Sequence, residues 1–275
     1  MLWWVLAGGA CPVLWAGPFA PAAGQPGSTA VPAAAVPAGG WASEVYAFTR
    51  GPVQLNDPEA GAATYGEPED ALGPANATAF NTTPVVSLGD GGSITLRLAQ
   101  PCGNRPGFDL AVFENSFNDD FLELAQVAVS TDGLHFVPFP SISLTPTTRQ
   151  VNGNSTAETP FGLLDPTNLY NLAGKYRAGF GTPFELDELL GREGAEWLDF
   201  QNIRYVRVTD VVGWIHSPTP VRDSMNNIIN DPWATPYETS GFDLDAVANL
   251  HPVPEPRAAW LLGLAACCWR QRRRR

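Results

Sequence analysis

Acidic and apolar residues alternate in the segment GFDLDAV near the end of the sequence. Because alternate residues of a β-strand share a face, Asp243 and Asp245 are predicted to lie on one face, about 7 Å apart. Phe242, Leu244 and Ala246 are predicted to lie on the other face. Two carboxylates this close repel each other unless water, a basic side chain or a bound cation relieves the repulsion. The pair therefore indicates a place that favours positive charge.

A second group of oxygen-bearing side chains follows the segment FDLAVFEN and the loop after it. Carboxylate and amide oxygens are the ligands that calcium prefers, about six to eight of them at ~2.3–2.6 Å. We therefore expect one calcium site, mainly structural, with these predicted ligands: Asp109, Glu114, Asn115, Asp119, Asp243 and Asp245. The alternative is that these acids form a solvated face or pair with nearby arginines, namely Arg204, Arg207 and Arg222.

The sequence shows none of the local patterns that mark nucleophilic or metal-dependent hydrolysis. It has three histidines, and it contains no G-x-S-x-G, H-E-x-x-H or glycine-rich phosphate loop. The paired carboxylates of a glycosidase are defined by their separation in space, so the sequence alone does not identify such a pair. We expect a protein without catalytic activity.

Three aromatic residues of the long loop 212–240 offer a different kind of site. Trp214, Trp233 and Tyr237 are predicted to form a platform on which the apolar face of a sugar ring stacks. The alternative is that these rings pack the loop onto the core.

Short strands broken by turn residues make up most of the body of the chain. A hairpin is predicted for AQVAVS and LHFVPF (125–139), because Thr131-Asp132-Gly133 between them is a tight-turn signal. The other predicted strands are SITLRL (93–98), FDLAVF (108–113), IRYVRVTDV (203–211) and GFDLDAVAN (241–249).

One short helix is predicted after residue 181. Thr182 is its expected N-cap, Pro183 suits its first position, Glu185 completes a capping box and Gly191 ends it. Together these elements predict an all-β fold, an antiparallel β-sandwich of jelly-roll type with long loops at 140–180 and 212–240. The strand segments also resemble those of galactose-binding-like or discoidin-like sandwich domains.

Charge and cysteine content limit the partners of this body. Residues 41–252 hold 27 Asp or Glu and 10 Lys or Arg, within a chain of net charge −12. So acidic a domain repels nucleic acid and anionic membrane surfaces, which excludes both as partners. Cys102 is the single cysteine of the body, while Cys11, Cys267 and Cys268 lie near the ends, so neither an internal disulfide nor a paired-cysteine zinc site is expected.

Both ends of the sequence differ in composition from the body. Residues 2–16 are apolar and uncharged, and small residues follow around Ala22, which predicts a secretory signal peptide over residues 1–23. The Pro-, Ala- and Gly-rich segment 24–40 is predicted to be a linker. The extracellular domain is then expected to span residues 41–252.

The last residues of the chain, 253–275, have three parts in a fixed order. Val253, Pro254, Glu255 and Pro256 form a proline-braced motif, an apolar segment covers 258–269, and an arginine cluster ends the chain. This order resembles the PEP-CTERM sorting signal of exosortase substrates. The resemblance implies transient anchoring in the inner membrane through 258–269, processing by an exosortase-type protease, and delivery to the cell envelope or extracellular matrix.

The sequence thus favours an exported, non-catalytic envelope or matrix protein whose β-sandwich holds structural calcium. The second hypothesis is a carbohydrate-binding module that recognises extracellular polysaccharide through the 212–240 loop. A third is a secreted hydrolase acting on glycans.

Overall fold

The computed structural model describes residues 17–78 and 84–253. Within them the chain forms twelve β-strands and six short 3₁₀ helices, and none of these helices is long and apolar enough to cross a membrane. The strands are β1 (Val31–Pro32), β2 (Ala42–Thr49), β3 (Val86–Ser87), β4 (Ser93–Cys102), β5 (Leu110–Glu114), β6 (Ala125–Ser130), β7 (Val137–Pro138), β8 (Ile142–Ser143), β9 (Leu169–Tyr170), β10 (Phe180–Phe184), β11 (Ile203–Asp210) and β12 (Asp243–Asn249). The 3₁₀ helices span Ala33–Ala35, Pro58–Ala60, Pro68–Ala71, Pro166–Asn168, Leu186–Leu189 and Ala195–Trp197.

Two five-stranded antiparallel sheets form the body of the fold. The strand order is β1-β10-β5-β12-β3 in the first sheet and β2-β4-β11-β6-β7 in the second. A separate two-stranded sheet joins β8 and β9. The predicted all-β antiparallel sandwich is thereby confirmed.

One apolar cluster joins the two sheets. Ile94, Leu96 and Val206 of the second sheet belong to the same buried cluster as Leu110 and Leu244 of the first. Each fully buried side chain of this kind contributes ~1.5–3 kcal/mol. This cluster holds the two sheets against each other. It therefore also sets the positions of the strand ends and of the polar residues there.

The hairpin predicted over 125–139 is present as β6 and β7. Val129 lies opposite Val137, and the Asp132 carboxylate accepts hydrogen bonds from the backbone N–H groups of Leu134 and His135 at 2.8 and 2.9 Å. The second strand is shorter than predicted, because only two of the residues 134–139 pair with β6.

A β-bulge interrupts β12 at Asp245. Leu244 pairs with Glu114, whereas Ala246 pairs with Phe113, so one residue of β12 has no counterpart on β5. Ala246 consequently joins a second apolar cluster with Phe113, while Leu244 stays in the cluster between the sheets. The prediction that Ala246 shares the face of Leu244 is wrong, because the bulge reverses the alternation.

The helix predicted from Thr182 to Gly191 is wrong in its first half. Thr182 and Pro183 belong to β10, which pairs with β5, and a 3₁₀ helix spans only Leu186–Leu189 with Glu185 as its N-cap. Pro183 fits this strand because the pairing of β1 with β10 ends at residue 181, so no strand on that side needs its missing N–H.

The segment 24–40, predicted to be a linker, is part of the folded body. It supplies β1 to the first sheet, and the hydroxyls of Thr29 and Tyr176 are hydrogen-bonded at 2.8 Å. Just before it, the backbone carbonyl of Ala23 accepts a hydrogen bond of 2.9 Å from Arg177. These contacts tie the chain from residue 17 onwards to the sandwich.

Candidate functional site

Six carboxylates converge where several strands of the sandwich begin or end. Two terminate strands, one begins a strand, one lies in the turn before β4, one precedes β6, and one comes from the 212–240 loop. The electrostatic contributions of neighbouring groups to their pKa values come chiefly from one another. We call this group the carboxylate cluster, and its members are Asp90, Glu114, Glu123, Asp210, Asp231 and Asp243.

Glu114 ends β5 and is only 1% exposed. Its Oε2 atom accepts a hydrogen bond of 2.7 Å from the backbone N–H of Ser116, whereas its buried Oε1 atom has no hydrogen-bond partner among the described residues. Burial, and next the charge of Asp243, hold the pKa of Glu114 well above its ordinary range. An unpartnered buried oxygen is costly, so this atom marks a place for a donor or a cation.

Asp243 begins β12 and lies beside Glu114. Its two oxygens accept hydrogen bonds from the Ser87 hydroxyl and from the Asn115 side-chain amide, the latter at 3.1 Å. Burial raises the pKa of Asp243 to about 7, although both hydrogen bonds act in the opposite direction.

Asp210 and Asp231 are held by backbone N–H groups. Asp210 accepts hydrogen bonds from Gly91 and Phe242, each at 2.8 Å, and Asp231 accepts one from Leu124 at 3.0 Å. Burial raises the pKa of Asp210 to about 8, and burial together with Asp210 raises the pKa of Asp231 well above its ordinary range. Both side chains therefore brace loops as well as adding negative charge.

Asp90 and Glu123 complete the cluster. Asp90 accepts hydrogen bonds from the backbone N–H of Leu55 at 2.8 Å and from the Trp233 indole N–H at 3.1 Å, and burial raises its pKa. Glu123 is partly exposed, and its carboxylate has no hydrogen bond or ion pair to another described residue. Burial and then Asp243 raise the pKa of Glu123 well above its usual range.

So many buried acids stay together only if protons or cations neutralise them. Within residues 17–78 and 84–253, no three Asp, Glu, His or Cys side chains are arranged so that they could hold a metal ion. The raised pKa values of these groups favour their protonated forms in the arrangement described. Binding of a cation would require oxygens such as Oε1 of Glu114 to turn towards it.

The structure brings Glu114, Asn115 and Asp243 of the predicted calcium ligands together, and the charge of Asp245 also raises the pKa of Glu114. Asp245, at the bulge, instead accepts hydrogen bonds from two successive backbone N–H groups at residues 76 and 77, at 3.2 and 3.1 Å. Burial raises the pKa of Asp245 to about 6.

The remaining two predicted ligands lie elsewhere. Asp109 precedes the opposite end of β5, where it accepts hydrogen bonds from the backbone N–H groups of Arg105 and Leu186, each at 2.9 Å. Asp119 forms an ion pair of 2.6 Å with Arg177. Both carboxylates thus have structural partners away from the carboxylate cluster.

Four members of the cluster were not predicted from the sequence: Asp90, Glu123, Asp210 and Asp231. The sequence could have indicated Asp210, because it is the only carboxylate in β11 and ends a strand whose other buried residues are apolar. Asp90, Glu123 and Asp231 lie outside the strands, and only the folding of the chain places them beside Glu114.

A cleft of about 280 Å³ opens beside the cluster and includes Glu123 and Asp243 in its lining. Aromatic rings supply much of its wall, namely Tyr65, Phe117, Phe121, Phe161 and Tyr237. The lining residues include no Lys, Arg or His. The cleft thus combines apolar stacking surface with uncompensated carboxylates.

The three residues predicted to form an aromatic platform occupy two different places. Trp214 and Trp233 stack on each other with ring centroids 4.8 Å apart and an angle of 11° between the planes, which covers one face of each ring. Tyr237 is 41% exposed and lines the cleft, whose lining does not include either tryptophan.

The sorting motif begins where the described fold ends. The backbone N–H of Val253 donates a hydrogen bond of 2.8 Å to the carbonyl of Pro101, at the end of β4. The remaining motif residues, Pro254, Glu255 and Pro256, and the apolar segment 258–269 lie outside the described residues, as does most of the predicted signal peptide.

No protein family model matches this chain, and no curated protein is significantly similar to it.

Proposed function

We propose that this protein is exported, is sorted to the cell envelope or extracellular matrix by an exosortase-type system, and binds structural calcium at the carboxylate cluster without catalysing a reaction. The export and sorting parts rest on the terminal sequences, residues 1–23 and 253–275. The calcium part rests on the cluster, and one observation carries it: the buried, unpartnered Oε1 atom of Glu114 among other carboxylates.

We expect a divalent cation to stabilise the carboxylate cluster more than protons do. It would neutralise more than one carboxylate, and it would give the Glu114 oxygen the partner that the described residues do not supply. Glu114, Asn115 and Asp243 are the residues we expect to contact it. Calcium fits better than magnesium, because calcium tolerates irregular oxygen shells whereas magnesium demands an octahedron and loses its water reluctantly.

Thermal unfolding of the purified protein with and without calcium tests this proposal. A cation that binds only the folded state adds ~2.7 kcal/mol at a hundredfold excess over its Kd. For a domain of this size the melting temperature should then rise by about 5–10 °C. Magnesium at the same concentration should produce a smaller rise.

The substitution Glu114→Gln separates the calcium site from general folding effects. Glutamine matches a protonated glutamate in size and has no charge, so the variant should melt at or above the wild-type temperature in chelator. It should lose most of the calcium-induced rise. The matched control is Glu44→Gln, which removes an exposed acid on β2 and should leave the rise intact. A wild-type melting temperature that does not respond to calcium would contradict the proposal.

A second candidate function is binding of extracellular polysaccharide. The observation that favours it is the cleft, because exposed aromatic rings beside hydrogen-bonding groups are the usual surface for a sugar ring. It differs from the sequence-based hypothesis in its residues, since Tyr237 takes part and the stacked pair Trp214 and Trp233 does not.

A further inference from the structure

Three phenylalanines form one wall of the cleft beside the carboxylate cluster. Phe117 and Phe121 are stacked with centroids 5.5 Å apart, and Phe161 packs against Phe121 at 4.4 Å. Phe117 is 44% exposed, which is unusual for a phenylalanine and costs apolar hydration. The wall therefore presents a ring to whatever enters the cleft.

The opposite side of the cleft is polar. Tyr237 rises from the 212–240 loop, and its hydroxyl donates a hydrogen bond to the side-chain oxygen of Asn154, which fixes the ring. Thr239 of the same loop also lines the cleft, as does Thr235, whose buried hydroxyl is hydrogen-bonded to Ser240. Hydroxyl groups near a fixed aromatic ring suit a ligand that carries both an apolar face and hydroxyls.

Two acidic side chains line the cleft without a basic partner in its lining. Glu123 has no hydrogen bond or ion pair among the described residues, and Asp243 adds a second carboxylate to the lining. Among the described residues that line the cleft, none is basic. A neutral ligand leaves the carboxyl group of Glu123 in its neutral form, whereas an ammonium group stabilises the ionised form, pairs with it and also interacts with the aromatic faces.

We propose that the cleft binds an amino sugar with a free ammonium group, as found in a partly deacetylated hexosamine polysaccharide, with its ring on the Phe117 wall and its ammonium on Glu123. This inference rests on the second candidate function, polysaccharide binding, and names its ligand class. Calcium is not needed for it, because Glu123 lies at the open side of the cluster and Phe117 lies outside it.

Calorimetric titration of the full-length protein with four small ligands tests the inference. The ligands are a glucosamine tetramer, its fully N-acetylated form, an uncharged glucose tetramer and tetramethylammonium. We expect the glucosamine tetramer to bind at least about tenfold more tightly than each of the other three, since a charge-assisted hydrogen bond is worth about that factor.

Two substitutions measure separately the contribution of the ammonium contact with Glu123 and that of stacking on Phe117. Glu123→Gln should weaken the glucosamine tetramer by about tenfold and leave any binding of the acetylated tetramer unchanged. Phe117→Ala should weaken every sugar ligand, because the stacking surface is lost. Glu44→Gln is the matched acidic control and should change none of the affinities. Each variant is accepted if it unfolds in a single cooperative transition well above the temperature of the titration.

The outcomes separate the inference from the function on which it rests. Equal binding of acetylated, uncharged and amino sugars overturns the amino-sugar inference and leaves polysaccharide binding in place. Absence of binding by all three sugars overturns both. Tetramethylammonium binding as tight as that of the glucosamine tetramer would show that the cleft recognises a cation alone, which also overturns the inference.

Discussion

The side-chain amide of Asn115 donates a hydrogen bond of 3.1 Å to the carboxylate of Asp243. The bond joins the end of β5 to the start of β12, two segments that are 128 positions apart in the sequence. It lies beside the unpartnered oxygen of Glu114 and therefore at the centre of the carboxylate cluster. The orientation of Asp243 depends on this contact and on the hydrogen bond from the Ser87 hydroxyl.

Stability should fall with rising pH when metal is absent. Burial raises the pKa of Asp210 to about 8 and that of Asp243 to about 7, from 3.8 in each case. Between pH 3.8 and these raised values the folded state holds protons that the unfolded state has released. The contribution of these protons to the free energy of unfolding is therefore complete below about pH 4 and is lost as the pH passes 7 to 8. Chemical unfolding in chelator, at intervals from pH 4 to pH 8, measures this.

The variant Asp210→Asn shows whether the cluster causes this pH dependence. Asparagine does not titrate, so the variant should lose less free energy of unfolding between pH 4 and pH 8 than the wild type does. Identical pH profiles for the two proteins would mean that Asp210 is not protonated in the folded state. Calcium should also flatten the wild-type profile, since it replaces the protons.

Removal of residues 1–40 should destabilise the sandwich. It deletes β1, the hydrogen bond between Thr29 and Tyr176, and the bond from Arg177 to the Ala23 carbonyl. Two hydrogen bonds alone contribute about 2 kcal/mol, which at this chain length lowers the melting temperature by about 4 °C or more. Calorimetry on chains beginning at residues 17 and 41 makes the comparison, and equal melting temperatures would refute it.

Deletion of residues 253–275 should leave export intact and abolish sorting. The motif, apolar segment and arginine cluster all lie in this stretch, while the described fold needs from it only the hydrogen bond of Val253 to Pro101. We expect the truncated protein to appear free in the periplasm or medium. Cell fractionation measures this, and a chain that ends after Val253 controls for the lost hydrogen bond. An unchanged distribution between fractions would argue against the sorting signal.

The protein should not hydrolyse glycans. Glu123 and Asp243 line the cleft with raised pKa values, as a glycosidase acid does, but both Asp243 oxygens already accept hydrogen bonds from Ser87 and Asn115. We take these bonds to orient Asp243 for a structural role, and we therefore expect it not to act as nucleophile or base. Incubation with the tetramers and detection of new reducing ends tests this. Turnover that Glu123→Gln abolishes would establish the hydrolase hypothesis instead.

The sequence determined the strands whose alternation is regular. The predicted strands at 93–98, 125–130 and 203–211 are close to the observed β4, β6 and β11, because burial on one face of a strand leaves a two-residue period that can be read locally. β2 (Ala42–Thr49) was not predicted. Most of its residues are exposed or half-buried and its pairing shifts twice, so the period is lost.

Only the tertiary structure decided which acids form the candidate site. Asp109 precedes β5 and Glu114 ends it. Because a β-strand is extended, these two acids are far apart in space although they are close in the sequence. Asp210 and Asp231 come from distant segments, and they meet Glu114 because the order of strands in the two sheets brings those segments to one end of the sandwich. Alternation is a local property of the chain, whereas this convergence depends on how all the strands are arranged.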